Sequence, residues 1–429
     1  MFPRENQKLT VEKNDTLWYS HAVLVFAKRV RSMNLFSFFS AHFGVDSQGE
    51  FFTPYRLCPL GAHTDHNLGL VTGFAIDKGV RFAFCKEESG VVEAVSAQFP
   101  AAARWSVHQT PAVKQGDWAD YLRGATLELK KRHPLDYGVR VAIQGEMPIG
   151  GLSSSAAVTL GFLGCLCSVN HISLTDEELV ELAYTAERNY VGVACGKLDQ
   201  SCEVYGKKDH LLFVDMLDGA RETIAQPAAM KPYEMAVLFS GVERNLVGSR
   251  YNMRVDEAKS AAYALKAFAG MEYGKFDQTV LRDVPVEVFE AYRNRLPDPW
   301  RRRAEHWYGE CDRVRQGVQA WREGDLERFG ALVFESGRSS IDLWQTGSPE
   351  LIRLYELMTQ TDGVYGGRFS GAGFKGCCLA LLDPNKADAA LEEIRRQYLH
   401  DYPDLADRYE TCLCQTTDGI GTEKKHENN

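Results

Sequence analysis

The feature that most constrains this chain is the segment PIGGLSSSAA, residues 148–157, which lies between a strand pattern and a buried-helix pattern. The preceding run, GVRVAIQGEMP, is typical of a strand that ends at Pro148. The run from Ser153 to about Val169 is apolar on most faces, which predicts a helix buried in a core. The glycines and serines of this segment, the glycine–serine loop, therefore stand where a buried helix begins.

The glycine–serine loop has the composition of a phosphate-binding loop. Gly150 and Gly151 allow close approach of the backbone to a ligand, and Ser153, Ser154 and Ser155 follow at the start of the helix. The unpaired N–H groups and the dipole of a helix N-terminus favour an anion, typically phosphate. A glycine turn followed by one serine N-cap is the alternative. A cap needs only one serine, so three serines favour the phosphate-binding interpretation. The segment is not the Walker phosphate-binding sequence GxxxxGK[ST].

Two carboxylates follow in ERNYVGVACGKLDQ, where Glu187 and Asp199 are twelve residues apart. Thr175 and Glu178 form a capping box that starts a helix, and positions Leu179, 183 and 187 share one face of it. Glu187 is then either on the apolar face or solvated near the helix end, and helix geometry leaves both open. Beside a phosphate loop, Mg²⁺ usually takes one or two carboxylates, and phosphoryl transfer needs a group that accepts the nucleophile's proton.

The composition and net charge of the chain limit the kinds of molecule that it can be expected to bind. The 429 residues carry 49 basic and 58 acidic side chains, a formal charge of -9, which argues against a general nucleic-acid or anionic-membrane binder. The N-terminus lacks an apolar signal core, and the longest apolar run, 156–167, is too short to span a bilayer. Eleven cysteines without paired CxxC motifs predict reduced thiols. We expect a cytoplasmic protein that binds small molecules and no nucleic acid or membrane, as a monomer, with a weak dimer left open.

A third segment, GGRFSGAGFKGCCLALLD at residues 366–383, has five glycines in its first eleven positions. Such a run indicates a close backbone approach, to a ligand or to another chain segment, and is weak evidence alone.

The pattern changes after about residue 218 to longer amphipathic helices such as RRRAEHWYGECDRVRQGVQAWREG. We expect a domain boundary near 220–235.

These three segments, in this order and spacing, resemble the three motifs of the GHMP kinases. The stretch PYRLCPLGAHTDHNLGLVTGFAID resembles the galactokinase signature RxNLIGEHTDYNxGxVxPxAI, and GDWADYLRGA, SRYNMRVDEA, RRAEHWYGECDRV and TTDGIG are galactokinase-like as well. The resemblance runs from about residue 30 to 422. It implies the two-lobed α/β (α+β) GHMP kinase fold, with the active site in the cleft between an N-terminal domain, 20–222, and a C-terminal domain, 223–424.

The resemblance implies catalytic and ATP-binding roles residue by residue. Asp199 matches the base that takes the proton from the anomeric hydroxyl of the sugar. Arg56 matches the neighbouring arginine, which keeps that aspartate ionised and stabilises charge on the transferred phosphoryl group. Ser155 and Glu187 match ligands of Mg²⁺. The ATP phosphates are expected on the loop residues Gly150, Gly151, Leu152, Ser153, Ser154 and Ser155.

The stretch GAHTDHN, residues 61–67, is expected to hold the sugar. His63, Thr64 and Asp65 match its hydroxyl contacts, and Tyr251 matches a sugar-binding tyrosine. A metal site made of His63, Asp65 and His66 is the less favoured interpretation, because zinc needs three or four converging ligands and no second cluster is available. His66 also replaces a common tyrosine of the family, and the glycine–serine loop is one residue shorter than the usual PxGxGLSSSA.

The departure that bears on the substrate is Ala62. Galactokinases have a glutamate here, in GEHTD, which contacts the hydroxyl on C6 of galactose. Losing a hydrogen bond to a charged group costs about 1.5 to 3 kcal/mol, so we expect galactose to bind poorly. Two carboxylates about 4 Å apart repel by about 4 kcal/mol at an effective dielectric of about 20, roughly a thousandfold in affinity. Alanine therefore admits a sugar with a carboxylate at C6, galacturonic acid.

The GAH signature, with a basic residue in FSGAGF[KR]GCC, also resembles the galacturonokinases, which phosphorylate galacturonate at C1. Lys375 is that basic residue, and it either places positive charge near the substrate carboxylate or ATP phosphates or is a surface lysine. The alternatives are a galactokinase with a relaxed C6 pocket, a kinase of another C6-modified or truncated sugar such as arabinose, and a non-catalytic sensor of sugar and ATP. The retained Arg56, Ser155, Glu187 and Asp199 favour an enzyme.

Overall fold

The computed structural model describes residues 34–242 and 250–420, and these ranges form a mixed α/β structure with two sheets. Eleven strands are numbered in chain order: β1 Gly49–Leu57, β2 Leu70–Glu87, β3 Val91–Ser96, β4 Ala103–Ser106, β5 Gly138–Gly145, β6 His210–Asp215, β7 Arg221–Ala225, β8 Glu234–Phe239, β9 Val364–Phe369, β10 Cys377–Leu382 and β11 Glu410–Cys414.

The described ranges contain eleven α-helices. In chain order they are α1 Leu35–Phe43, α2 Asp120–Lys130, α3 Ser154–Val169, α4 Asp176–Thr185, α5 Leu198–Tyr205, α6 Arg250–Phe268, α7 Val286–Tyr292, α8 Asp298–Glu323, α9 Leu326–Asp342, α10 Pro349–Gln360 and α11 Ala387–Asp401.

The first sheet has seven strands in the order β4-β3-β5-β2-β6-β7, with β1 also paired to β2. Strand β2 is 18 residues long and pairs along its length with β1, β5 and β6. All pairs are antiparallel except β3 with β5. The residues of β2 are almost continuously buried, as expected for a strand covered on both faces. Strand β1 and the residues after it reach the cavity described below, which places Arg56 there.

The second sheet has four antiparallel strands in the order β11-β8-β10-β9. One face packs on α10 and α11 through a core that includes Leu354, Met358, Ile394 and Tyr398. The chain then returns to the first sheet, where the Thr417 N–H donates to the carbonyl of residue 75 at 2.9 Å. The two sheets are thus tied together at the end of the described chain.

The buried helix and the capped helix predicted from sequence are both present. Helix α3 packs its buried side chains into the main core, and Gly161 lets it approach β2, since a Cβ there would lie 2.1 Å from the ring of Phe82. Helix α4 begins with the expected capping box, in which Thr175 Oγ1 accepts from the Glu178 N–H at 3.2 Å and Glu178 Oε2 accepts from the Thr175 N–H at 2.9 Å. The mixed α/β class is therefore confirmed.

All eleven cysteines lie in the described residues, and none of them is paired in a disulfide. Within these same ranges, no helix combines the length and the apolar character needed to cross a membrane.

Candidate active site

Arg56 and Asp199 are far apart in sequence and adjacent at one cavity. Arg56 is the second-last residue of β1, and Asp199 lies in the first turn of α5. Arg56 donates from Nε to Asp199 Oδ1 at 2.8 Å, and its Nη2 forms an ion pair with the same oxygen at 2.8 Å. Burial lowers the pKa of Arg56, but the Asp199 carboxylate more than offsets it, so that the pKa lies above its usual value. A charged guanidinium is therefore fixed against a carboxylate that is 29% exposed.

The glycine–serine loop adopts a backbone that favours glycine. Gly150 and Gly151 have φ angles of 141° and 85°. Ser153 is the N-cap residue of α3, but it has a φ of 61° and makes no side-chain capping bond. Its Oγ is buried and has no hydrogen-bond partner among the described residues. The cap alternative is therefore wrong for this loop, and an uncapped helix start with an orphaned hydroxyl fits a phosphate group.

The glycine-rich segment, residues 366–376, packs on the glycine–serine loop. A Cβ at Gly371 or Gly376 would lie 3.0 Å or less from the backbone of Gly151 or Gly150. Ser370 Oγ donates to the Gly151 carbonyl at 2.6 Å, and this carbonyl also accepts from Nη1 of Arg56 at 2.9 Å. The close approach left open by the sequence is thus made to another chain segment, and it ties this loop to the Arg56–Asp199 pair.

Glu187 is buried, which decides between the two positions that helix geometry left open. A π-helical turn, Ala186–Val191, continues α4 and turns Glu187 inward, where its Oε2 accepts from Gln200 Nε2 at 2.5 Å. Burial raises the pKa of Glu187 to about 7, while a hydrogen bond from Ser155 acts in the opposite direction. Its carboxylate and the Ser155 hydroxyl form an oxygen-only pair beside the loop, which suits Mg²⁺ held jointly with phosphates.

The turn 61–67, the histidine turn, supplies one wall of the same cavity. Ala62, His63 and Asp65 line it, together with Tyr251 from α6. Asp65 is buried, and this burial, with a smaller contribution from Asp199, raises its pKa to about 6. The cavity also takes in the Arg56–Asp199 pair, the glycine–serine loop and Glu187. One space therefore joins the candidate base, the phosphate loop and the turn expected to hold the sugar.

Three residues singled out from sequence do not line this cavity. Thr64 is buried and hydrogen-bonds through Oγ1 to the carbonyls of Gly61 and Leu70, both at 2.8 Å, so that it supports the turn. Leu152 packs in the core. Lys375 is exposed and lies outside the cavity lining, which agrees with a surface lysine.

Aromatic rings stack behind the histidine turn. The ring of His63 lies parallel to that of Trp344, with centroids 5.0 Å apart, and His66 stacks on the same indole at 5.4 Å. His66 Nδ1 is 2.7 Å from Nδ2 of Asn67. Among the described residues no three histidine, cysteine or acidic side chains are grouped to hold a metal. These rings therefore form a packed wall, and the less favoured metal interpretation gains no support.

A second cavity continues from the loop, and apart from Ser154 and Ser155 its residues have no role predicted from the sequence. It shares Tyr121, Ile149, Ser154 and Ser155 with the first cavity. Its lining includes Phe99 and Trp118, whose rings stack with their centroids 5.8 Å apart and their planes at 3° to each other. Trp118 belongs to the galactokinase-like piece GDWADYLRGA, which was the only sequence signal for it. A mostly apolar slot next to the glycine–serine loop suits a nucleotide base.

Comparison with known proteins identifies the family of this chain. The model of the GHMP kinases N terminal domain matches residues 120–207, and that of the GHMP kinases C terminal domain matches residues 318–400. A galacturonokinase from Arabidopsis thaliana is 35% identical over 373 residues, which cover 82% of this chain and 87% of the relative. A galactokinase from Roseiflexus sp. (strain RS-1) is 32% identical over 386 residues, or 89% and 95% of the two chains.

Solved structures share the fold. Lactococcus lactis galactokinase complexed with galactose superposes with a TM-score of 0.82 at 27% identity, covering 90% of this chain and 98% of that one. The Methanococcus jannaschii mevalonate kinase has a TM-score of 0.62 at 16% identity and covers 87% and 99%, a likeness of fold alone. The chain belongs to the GHMP kinase family. Within that family it is galactokinase-like, and it is a phosphotransferase with an alcohol group as acceptor.

Proposed function

We propose that this sugar kinase transfers the γ-phosphoryl group of ATP to the anomeric hydroxyl of galacturonic acid, giving galacturonate 1-phosphate and ADP. The single observation that carries the substrate is Ala62 in the wall of the cavity that also holds Asp199. Galactokinases have a glutamate at this position, and both a galacturonokinase and a galactokinase are similar to this chain over most of its length.

The proposed chemistry assigns one step to each group. Asp199 takes the proton of the anomeric hydroxyl, the freed oxygen bonds to the γ-phosphorus, and the bond from that phosphorus to the β–γ bridging oxygen breaks to release ADP. Arg56 holds Asp199 in place and puts positive charge beside the transferred group. Ser155 and Glu187 would hold Mg²⁺, which when bound supplies positive charge to the phosphate oxygens. Positioning and electrostatics are what phosphoryl transfer asks of a protein.

Alanine at position 62 leaves the histidine turn with one carboxylate, that of Asp65, and a glutamate there would add a second. Behind the turn, Glu310 accepts the N–H of Gly61 at 2.9 Å and is paired with Arg313 and Arg368. With alanine in place, the carboxylate of a uronic acid meets less repulsion at the turn than it would meet from a glutamate.

The test is a substrate panel with the purified chain. ADP release is followed with galacturonate, galactose and arabinose, each at saturating ATP and Mg²⁺. We expect kcat/KM on galacturonate to exceed that on galactose about tenfold or more, the equivalent of one lost hydrogen bond to a charged group. Equal or faster turnover of galactose rejects the proposal in favour of a galactokinase. Preference for arabinose would mean that the space at Ala62 serves a sugar without C6.

A further inference from the structure

Helix α8 carries the motif RRAEHWYGECDRV, to which the proposed chemistry gives no role. Three of its side chains, at positions 306, 307 and 310, hydrogen-bond to backbone groups of residues 61–64. All three are buried. The bonds run from the Gly61 N–H to Glu310 Oε1 at 2.9 Å, from His306 Nε2 to the Ala62 carbonyl at 3.0 Å, and from Trp307 Nε1 to the Thr64 carbonyl at 3.2 Å.

The backbone held by these bonds is strained at the residue next to Ala62. His63 has a φ of 62°, in the left-handed region that a residue with a Cβ seldom adopts, and Gly61 has a φ of 96°. Conformations of this kind persist only where the surroundings fix them, and they are common where a protein holds a ligand. The bond to the Gly61 N–H fixes the Leu60–Gly61 peptide group, and the bond to the Ala62 carbonyl fixes the Ala62–His63 peptide group.

The side chains that hold the turn are themselves held from the other side. His306 Nδ1 is 2.8 Å from Ser339 Oγ. Because the Ala62 carbonyl only accepts, Nε2 of His306 must carry the proton, and Ser339 then donates to Nδ1. Glu310 Oε2 accepts from Arg313 Nε at 2.8 Å. The side chains of His306 and Glu310 that hold the turn are therefore each hydrogen-bonded to a second side chain behind them.

We infer that His306, Trp307 and Glu310 are positioning residues, through which α8 sets the place of residue 62 and its neighbours relative to the bound sugar. None of the three lines the cavity. Their effect is exerted through the backbone of the histidine turn, so it falls on the sugar and not on ATP, whose expected contacts lie on other elements. The inference rests on the proposed sugar-kinase function, but not on which sugar is the substrate.

The test uses single substitutions on α8. His306→Phe keeps an aromatic ring and removes the donor to Ala62, His306→Gln keeps an N–H near the same point, and Trp307→Phe removes the donor to Thr64. Tyr308→Phe is the matched control, because it removes a bond of the same kind, to the Val284 carbonyl at 2.8 Å, on the same helix. Glu310 is left intact, since its removal would leave the buried Arg368 and the half-buried Arg313 without their carboxylate partner.

Sugar KM, ATP KM and the melting temperature are measured for each variant, with the sugar that the wild type turns over faster. We expect His306→Phe and Trp307→Phe to raise the sugar KM about tenfold or more with the ATP KM unchanged, the scale of a lost buried hydrogen bond. His306→Gln should recover most of the loss, and Tyr308→Phe should behave as wild type in both KM values.

Equal loss for sugar and ATP, or an unchanged sugar KM in both Phe variants, overturns the inference. So does an effect of Tyr308→Phe as large as that of Trp307→Phe. If His306→Phe does not fold, Trp307→Phe decides: a raised sugar KM with an unchanged ATP KM supports the inference, and an unchanged sugar KM overturns it. If the wild type prefers galactose, the substrate proposal is rejected but this test still applies, because KM is measured for whichever sugar the wild type turns over faster.

Discussion

Two nitrogens of Arg56 contact one oxygen of Asp199: Nε donates a hydrogen bond to Oδ1 at 2.8 Å, and Nη2 forms an ion pair with the same oxygen at 2.8 Å. Among the described residues none donates to Oδ2, which is therefore left to accept a proton from a substrate. The same arginine reaches the Gly151 carbonyl through Nη1. One side chain thus fixes the position of the candidate base relative to the glycine–serine loop. Phosphoryl transfer requires such fixed positions of the hydroxyl and the phosphate.

Asp199→Asn should abolish turnover and leave ATP binding almost unchanged. The amide keeps the shape of the side chain but cannot accept the hydroxyl proton, and general-base catalysis contributes about a hundredfold to ten-thousandfold. ADP release gives the rate, and equilibrium titration with ATP gives the affinity. A variant that retains most of the wild-type kcat would mean that another group is the base.

Ala62→Glu should reverse the sugar preference. The new carboxylate gives an acceptor to the C6 hydroxyl of galactose and repels the carboxylate of galacturonate. We expect the ratio of kcat/KM on galacturonate to that on galactose to fall about a hundredfold or more. Ala62→Gln is the matched control, because it fills the same space without the charge and should lower the ratio less. An unchanged ratio in Ala62→Glu would mean that C6 is recognised elsewhere.

Gly196→Ala should weaken sugar binding through Asp65. A Cβ at position 196 would lie 2.4 Å from Cγ and from Oδ2 of Asp65, so the carboxylate has to move. A shift of about 1 Å in a positioned group costs about a hundredfold in rate, and we expect kcat/KM for the sugar to fall by about this factor. Gly274→Ala, where a Cβ meets only a side-chain atom at 3.9 Å, is the control. Wild-type kinetics in Gly196→Ala would exclude a sugar-binding role for Asp65.

Sugar binding should weaken as the pH falls through about 6. Burial raises the pKa of Asp65 to about 6, and only the ionised carboxylate can accept hydrogen bonds from sugar hydroxyls with both of its oxygens. We expect the sugar KM to rise below that pH and the ATP KM to follow a different profile. Asp65→Asn should lose the step in the sugar KM.

The raised pKa of Asp65 has the opposite effect on the stability of the fold: its ionisation favours sugar binding but lowers the free energy of unfolding. Because the folded-state pKa of Asp65 lies above its ordinary value of 3.8, ionisation of this group costs stability as the pH rises through about 6. Asp65→Asn should therefore gain stability relative to wild type at pH 8 but not at pH 4, as measured by denaturant unfolding. A gain at pH 4 that equals the gain at pH 8 would contradict the shift.

Local patterns in the sequence were sufficient for the elements whose cause is local. The capping box at Thr175, the buried helix α3 and the glycine turn before it depend on residues within a few positions of one another, and all three are present. Glu187 was undecided because a helical repeat assumes 3.6 residues per turn, whereas the chain widens into a π-helical turn there.

The long-range features could not be predicted by such patterns. His306 meets the Ala62 carbonyl across 244 positions, and nothing near either residue indicates the other. Trp118 lies in the galactokinase-like segment GDWADYLRGA. Its stacking on Phe99, however, depends on how the chain between the two residues folds back. Lys375 was a candidate because of its charge, and its exposed position became known only from the fold. Charge and motif identify a residue as a candidate, and tertiary contacts decide its role.

Competition between two sugars in one reaction tests the central claim most directly. Equimolar galacturonate and galactose are supplied with limiting ATP and Mg²⁺, and the two sugar 1-phosphates are quantified by mass spectrometry. Their ratio measures relative kcat/KM at once, independent of enzyme quality or ATP concentration. The assignment predicts that galacturonate 1-phosphate exceeds galactose 1-phosphate about tenfold or more. Equal amounts, or an excess of galactose 1-phosphate, would contradict it.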